Sequence, residues 1–239
     1  GTMTVTRGPE HMFLGMKISF HGDGTASICM PSYIQEAIDE SGLNITSISP
    51  TPCASSLLTI DPSSPVLLTK RAQTFHSIVA KLIYVGTRAR TDILLALGFL
   101  CSRVSKPTEQ DEKKLRRLLE YLKGTKDMPL RLGADSLHHF MTWVDASFAV
   151  HDDMRSHTGG VISFGRGGIL CKSKKQKINT KSSTEAELIG ASDYLPHTLY
   201  VKMFMEAQGY PIKKAIFYQD NESAIKMERN GKASCGQWS

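Results

Sequence analysis

The chain has 239 residues, of which 41% are hydrophobic, so it is long enough for one large or two small domains with real cores and is not a disordered chain throughout. Its formal net charge of +6 and pI near 9.0 are compatible with a polyanionic partner without requiring one. The five cysteines are widely spaced and include no CxxC pair, which favours a reduced, intracellular setting. Because the sequence has no apolar window of membrane-spanning length and no signal-like start, we expect neither a membrane span nor a signal peptide.

The first 43 residues predict a hairpin followed by a helix. The segments "HMFLGMKISF" and "GTASICM" are typical of two strands, and "HGDG" between them has the glycines and the aspartate of a tight turn. In "PSYIQEAIDESGL" the apolar residues recur at helical spacing, and Gly42 is suited to the left-handed conformation that ends a helix. We expect this part of the chain to be a small α+β region.

Residues 44–70 are rich in proline and serine, which predicts an extended linker. Three helices are predicted within residues 71–136. The first spans about Ala72–Gly86, the second begins near Asp92, and the third is capped by Thr108 and ends at Gly124. Their apolar stripes favour a packed helical unit and require no functional role.

Residues 137–239 predict a separate α/β domain with a mixed sheet. Three strand patterns, "LHHFMTWVDASFAV", "TGGVISF" and "GGILCKSKKQ", precede a helix from about Ser183 to Gln208 that Pro196 is expected to kink. The strand "KAIFYQD" and the helix "NESAIKMERNG", ending at Gly231, follow. The predicted order is therefore β-β-β-α-β-α.

Two aspartates, Asp145 and Asp220, follow apolar strand residues in "MTWVD" and "IFYQD". A single aspartate after a strand is usually a turn or capping residue, but two of them with a glutamate on the intervening helix form a more specific pattern. Carboxylates that converge on one point repel each other, and a divalent cation that prefers oxygen ligands relieves this repulsion. The sequence therefore predicts a metal site at one edge of the sheet.

The intervening helix offers two glutamates for that site. With Ser183 as the N-cap, Ala186, Leu188, Ile189 and Ala191 mark the buried side. Glu187 falls within this stripe, whereas Glu185 lies about 200° away from it at roughly 100° per residue. Glu185, in the first turn, is suited to interact with the helix dipole. We therefore assign Glu187 to the metal and Glu185 to helix initiation, with the reverse assignment as the alternative.

These motifs resemble the ribonuclease H domain of copia-type LTR retrotransposon polyproteins. The segments that carry the resemblance are "WVDASFA", "RSHTGGVISF", "KSKKQKINTKSSTEAEL" and "YQDNESAI". Upstream, "FLGMKI", "SYIQEAI", "FHSIVAKLIYVGTRARTDILLAL" and "LRRLLEYLKGT" resemble the end of the reverse transcriptase and the connection region of the same polyproteins. The resemblance thus covers nearly the whole chain and assigns residues 1–43 to the end of the reverse transcriptase, 71–136 to the connection region and 137–239 to the ribonuclease H domain.

The resemblance implies a ribonuclease H-like fold that cleaves the RNA strand of RNA–DNA hybrids with two Mg²⁺ ions, or Mn²⁺ in their place. By the same resemblance Asp145 would bridge both ions, while Glu187 and Asp220 would hold the ion on the leaving-group side. The implied partners are the hybrid and the rest of the reverse transcriptase polyprotein. The implied location is a cytoplasmic virus-like particle, or the nucleus if the element is active.

A basic run beside the predicted site supports a nucleic-acid partner. It spans residues 166–181 and has no acidic residue. Such a run binds a phosphate backbone without sequence preference, although lysines on an exposed hairpin edge also serve to block aggregation. Its lysines are Lys172, Lys174, Lys175, Lys177 and Lys181. From the resemblance, Ser183 and Thr184 would approach the 2′-hydroxyls of the RNA strand.

Two departures from the family pattern limit the expected activity. The family has a further strand, helix and fourth carboxylate after the point at which this sequence reaches "NGKASCGQWS", so we expect weak or no cleavage. The paired aspartates of a polymerase site are also missing, since Asp152 and Asp153 are typical of a polar loop. The alternatives are a catalytically dead relic that binds nucleic acid, or a fragment that does not fold stably.

Overall fold

Helices and strands are interspersed along the chain, which confirms the predicted mixed α/β class. The structure is a computed structural model and describes residue 5 and residues 7–230. The chain divides into two compact units, Gly1–Gly133 and Ala134–Ser239. Each unit has its own hydrophobic core.

Four antiparallel strands pair in chain order, β1-β2-β3-β4, in the first part of the molecule. They are β1 (Glu10–Phe13), β2 (Met16–Phe20), β3 (Ala26–Cys29) and β4 (Leu130–Ala134). The prediction of a single strand for "HMFLGMKISF" was wrong. Leu14 and Gly15 have φ of 48° and 77°, and this pair of left-handed residues makes a two-residue turn that splits the segment into β1 and β2.

All four helices predicted before residue 130 are present. They are α1 (Pro31–Glu40), α2 (Thr69–Arg88), α3 (Leu94–Arg103, preceded by a 3₁₀ turn over Thr91–Ile93) and α4 (Glu109–Gly124). Thr108 caps α4 as predicted, because its side chain accepts from the backbone N–H of Asp111 while the Asp111 carboxylate accepts from the backbone N–H of Thr108. Gly42 has φ of 64°, so the chain does turn left-handed just after α1.

One core joins α1, α2, α3 and α4. The predicted linker, residues 44–70, has no helix or strand before α2 begins, but it is not only a surface segment. Its residues Ile45, Leu57 and Leu67 are buried in this core. These apolar residues tie the irregular segment to the helices by burying their surface.

The second unit contains a four-stranded mixed sheet in the order β8-β6-β5-β9. Strand β9 is parallel to β5, whereas β6 is antiparallel to both β5 and β8. The elements are β5 (His139–Ser147), β6 (His157–Ser163), β7 (Gly165–Arg166), β8 (Leu170–Lys175), α5 (Ser183–Ala207), β9 (Lys214–Tyr218) and α6 (Glu222–Asn230). Apart from the two-residue strand β7, their order is the predicted β-β-β-α-β-α.

Helix α5 packs against one face of this sheet through small residues and one aromatic side chain. The Tyr194 ring lies over Gly160 of β6, where any Cβ would overlap three ring carbons. One turn earlier, Gly190 brings α5 close to Thr158 and Val144. This close approach fixes how α5, and every side chain near its beginning, lies on the sheet.

Two sequence predictions concern residues beyond the described part of the chain: the end of the last helix at Gly231, and the tail that contains Cys235. In the part that the structure describes, no helix combines the length and the apolar character needed to cross a bilayer.

Candidate metal centre

The two aspartates lie at the same end of two parallel strands. Strands β5 and β9 pair in a register that sets Trp143 beside Tyr218, and these two rings stack with centroids 5.3 Å apart. Asp145 and Asp220 each follow two residues later in the chain. Asp145 is not the last residue of its strand, because β5 continues to Ser147 through its pairing with β6.

The beginning of α5 supplies the glutamate. Ser182, not Ser183, is the N-cap, and its side chain accepts from the backbone N–H of Glu185 at 3.2 Å. In return the Glu185 carboxylate accepts from the backbone N–H of Lys181 at 2.6 Å. Glu185 is therefore occupied in starting the helix, as the sequence predicted.

The buried face of α5 agrees with the predicted one in part, since Ala186 and Ala191 are buried as expected. Leu188 and Ile189 are only half-buried, whereas Glu187 and the small residue Gly190 are buried against the sheet. The apolar pattern misled because small side chains allow the closest approach of a helix to a sheet, and large ones fit better at its margins. Glu187 nevertheless lies on the sheet side, and its side chain is 5% exposed.

The structure brings Asp145, Glu187 and Asp220 together. One carboxylate oxygen from each of the three residues lies within 4.8 Å of the other two. Among the described residues, this is the group of three or more His, Cys, Asp or Glu side chains whose ligand atoms lie that close together. Asp145 and Asp220 are exposed, and Glu187 lies beneath them. Oxygen atoms are the ligands that Mg²⁺ prefers, and two oxygens on opposite sides of such an ion are about 4.2 Å apart. The donor set and its spacing therefore fit a hard divalent cation.

Glu187 is held by two hydrogen bonds. The backbone N–H of Ala146 donates to its Oε1 at 3.1 Å, and the Gln219 side chain donates to its Oε2 at 3.2 Å. Burial raises the pKa of Glu187, these two donors lower it, and the charges of Asp145 and Asp220 raise it further, so that the net shift is upward. A cation beside the three carboxylates would offset the electrostatic repulsion between their negative charges.

Comparison with known proteins shows which proteins the chain resembles. The chain is 27% identical over 229 residues to the retrovirus-related Pol polyprotein from transposon TNT 1-94 of Nicotiana tabacum, over 93% of this chain and 17% of that protein. It is 30% identical to a transposon Ty5-1 protein of Saccharomyces cerevisiae, over 78% of this chain and 60% of the relative. An uncharacterized mitochondrial protein of Arabidopsis thaliana is also 30% identical, over 75% of this chain and 73% of the relative.

Over most of its length the chain is thus similar to retrotransposon Pol polyproteins. It spans about a sixth of the TNT 1-94 polyprotein and somewhat more than half of the Ty5-1 protein. No family model matches the sequence, and no solved structure matches it either.

The basic residues of the chain are divided between the two faces of β8. Lys172 and Lys174 project to the face that carries α5, and the Lys172 ammonium donates to Nε2 of His197 at 2.7 Å. Burial first, and then the charges of Lys172 and Lys174, lower the pKa of His197. Lys175 projects to the opposite face, where it forms a 2.7 Å ion pair with Asp153. The lysines of the predicted basic run that lie on β8 therefore do not form one continuous surface.

The other predicted contacts with nucleic acid lie between β8 and α5. Lys177 and Lys181 are exposed in this connection, Ser183 is exposed in the first turn of α5, and Thr184 is half-buried beside it. This places Ser183 and Thr184 within four residues of Glu187 in the chain, near the carboxylate cluster.

Two hydrogen-bonded groups of the second unit carry no signal in the sequence. Gln219 contacts Glu187 only because β9 delivers it to the start of α5. His157 is buried between His151 and Ser173, with its Nδ1 3.0 Å from Nε2 of His151 and its Nε2 2.7 Å from the Ser173 hydroxyl. Both depend on contacts between residues that are far apart or on neighbouring strands, which local patterns do not encode.

Proposed function

We propose that this chain is a segment of a copia-type retrotransposon Pol polyprotein and that its second unit is a ribonuclease H-type endonuclease acting on the RNA strand of RNA–DNA hybrids. The observation that carries the proposal is the convergence of Asp145, Glu187 and Asp220 from two parallel strands and one helix. The mixed sheet with α5 across one face, and the motifs "KSSTEAEL" and "YQDN", support a ribonuclease H-like fold.

The three carboxylates would hold Mg²⁺ or Mn²⁺. When bound, such ions supply positive charge that activates water and stabilises a leaving oxygen. Glu187 is suited to act as the fixed ligand, because the backbone of β5 and the side chain of Gln219 orient both of its oxygens. Asp145 and Asp220 are exposed and so can face both the ion and a phosphodiester.

The surroundings of Asp145 leave room for a polynucleotide. Its register partner on β6 is Gly159, and a side chain built there would meet no other atom within 4 Å. Two cations on β8, Lys172 and Lys174, and the exposed Lys177 and Lys181 could bind the phosphate backbone. Ser183 and Thr184 would then lie near the sugar edge of the RNA strand.

Cleavage of a labelled RNA–DNA hybrid in the presence of Mg²⁺ tests this proposal. The parent chain is expected to shorten the RNA strand, and Asp145→Asn is expected to lower the rate by at least 100-fold, since one of three cation ligands loses its charge. Asp152→Asn is the matched control, because this exposed aspartate lies in the β5–β6 loop outside the carboxylate cluster. Equal rates for all three proteins would refute the assignment.

A second function, binding of hybrids without cleavage, is favoured by a different observation. Within the described residues the cluster has three carboxylates, and its two aspartates are exposed, so the site offers few protein ligands for a pair of ions. In that case the parent and Asp145→Asn would bind the hybrid with equal affinity in a gel-shift assay, and neither protein would shorten the RNA strand.

A further inference from the structure

Gln219 is the residue between β9 and the predicted ligand Asp220, and sequence patterns gave it no role. Its side-chain amide lies between two partners. The Nε2 group donates to Oε2 of Glu187 at 3.2 Å, and Oε1 accepts from the backbone N–H of Asn221 at 3.1 Å. The side chain therefore links the loop that carries Asp220 to the glutamate on α5.

The backbone sets the direction of this amide. Because Oε1 must face the N–H of Asn221, the NH₂ group must face Glu187, and the reverse orientation would leave both contacts without a donor–acceptor match. The other oxygen of Glu187 is held by the backbone N–H of Ala146. Each carboxylate oxygen thus has one donor, and the two donors come from different elements.

Glu187 needs this support more than its two neighbours do. It is 5% exposed, whereas Asp145 and Asp220 are exposed to solvent and can be hydrated. A buried carboxylate without donors favours its protonated form or rotates away from its neighbours. Groups that hydrogen-bond a metal ligand from outside orient it and raise its affinity for the ion.

We propose that Gln219 is a positioning residue that holds Glu187 in the orientation needed to bind a divalent cation together with Asp145 and Asp220. The assignment rests on the cation-binding part of the proposed function and not on hybrid cleavage. It predicts that the effect of Gln219 on cation affinity passes through Glu187.

A double-mutant cycle on the full chain tests this, with Mg²⁺ affinity measured by isothermal titration calorimetry. Gln219→Met keeps the length of the side chain but removes its donor, and is expected to weaken Mg²⁺ binding about tenfold. In the Glu187→Ala background the same substitution is expected to change the remaining affinity less than twofold. An unchanged affinity for Gln219→Met, or an equal loss in both backgrounds, would overturn the proposal.

Asn221→Ala is the matched structural control. Asn221 lies in the same loop, and its side chain accepts from the backbone N–H of Ala224 at 2.9 Å without reaching Glu187. We expect this variant to lower thermal stability but to bind Mg²⁺ within twofold of the parent. If it weakens Mg²⁺ binding as much as Gln219→Met does, a general disturbance of the loop explains both results and the specific role of Gln219 is wrong.

The outcomes for Gln219 and for the proposed enzyme are separable. A chain that binds Mg²⁺ through Glu187, loses affinity in Gln219→Met and cuts no hybrid would uphold the role of Gln219 and refute the ribonuclease. If the parent chain does not bind Mg²⁺, or if Glu187→Ala binds Mg²⁺ as well as the parent does, the role of Gln219 is overturned whatever the chain does to hybrids.

Discussion

Glu185 and Glu187 lie two positions apart on α5 and differ in what holds them. Glu185 accepts from the backbone N–H of Lys181 before the helix, and Glu187 accepts from the backbone N–H of Ala146 on the sheet. One contact satisfies a free donor at a helix start, and the other anchors a buried carboxylate to a neighbouring strand. Two glutamates thus have different roles, because each helix position is rotated by about 100° from the one before it and the two side chains point in nearly opposite directions.

Substituting each glutamate separates these purposes. Glu185→Ala is expected to lower the free energy of unfolding by about 1 kcal/mol, the usual cost of a lost cap, and to preserve the rise in melting temperature on adding Mg²⁺. Glu187→Ala is expected to abolish that rise. Differential scanning fluorimetry with and without Mg²⁺ measures both. If Glu185→Ala alone loses the Mg²⁺ effect, the two assignments are reversed.

His157 makes a second prediction at the scale of a single residue. Burial, and to a smaller degree the charge of His151, lower the pKa of His157 to about 4. Since the folded state disfavours the imidazolium, its contribution to stability is complete above the unfolded pKa of 6.5 and is lost as the pH falls toward 4. Between pH 7 and pH 5 this predicts a loss on the order of 1–2 kcal/mol from His157.

Urea unfolding at pH 7, 6 and 5 measures this loss. His157→Asn is expected to be less stable than the parent at pH 7, because it loses the contact with Ser173, but to change less with pH. His76→Asn is the control, since His76 is exposed on α2. The prediction fails if the parent and His157→Asn lose stability in parallel between pH 7 and pH 5.

At the scale of elements, the packing of α5 on β6 depends on Gly160 and not on the adjacent Gly159. Gly160→Ala would place a methyl group inside the Tyr194 ring, and we expect a loss of at least about 1–3 kcal/mol in the free energy of unfolding. Gly159→Ala meets no other atom within 4 Å, so its expected change is small, with a slight gain from the smaller backbone entropy of alanine.

Chemical denaturation of both variants provides the measurement, and the two substitutions are matched because they add the same methyl group at neighbouring positions of β6. Gly160→Ala with Tyr194→Leu should recover part of the loss, since the smaller side chain leaves space for the methyl group. Similar stabilities for Gly159→Ala and Gly160→Ala would contradict the contact between α5 and the sheet.

Elements whose pattern is local were predicted from the sequence, and elements that depend on contacts were not. Thr108 and the apolar face of α4 predicted that helix with its cap, because capping and periodicity are set by neighbours in the chain. The turn at Leu14 and Gly15 was missed, since leucine rarely adopts a positive φ and its presence there is imposed by the pairing of β1 with β2.

The candidate site shows the same limit. The convergence of Asp145, Glu187 and Asp220 could be predicted because each is an acidic residue within or directly after an apolar strand or helix pattern. Gln219 could not, because nothing about a glutamine after a strand indicates that a glutamate 32 residues earlier will lie beside it. The carboxylates leave a trace in sequence patterns, whereas the group that hydrogen-bonds Glu187 is set by tertiary contact.

At the scale of the whole molecule, the net charge of +6 is less informative than where the cations lie. Lys172 and Lys174 share the α5 face of the edge strand β8, where Lys172 contacts His197 and Asp193 lines the same recess. Lys175 on the other face is already paired with Asp153. A polyanion would therefore gain more from the first two lysines than from the third.

The salt dependence of hybrid binding tests this difference. Each phosphate contact that is lost lowers the slope of log affinity against log salt by about 0.7–0.9, so Lys172→Gln with Lys174→Gln is expected to reduce the slope by about 1.5 and to weaken binding at low salt. Lys175→Gln, on the same strand but ion-paired, should change the slope by less than half as much as the double variant. Fluorescence anisotropy of a labelled RNA–DNA hybrid between 50 and 200 mM salt, about the range in which such slopes are resolved, gives both values. A larger effect for Lys175→Gln would mean that nucleic acid approaches the opposite face of the sheet, where the ion pair with Asp153 would have to open.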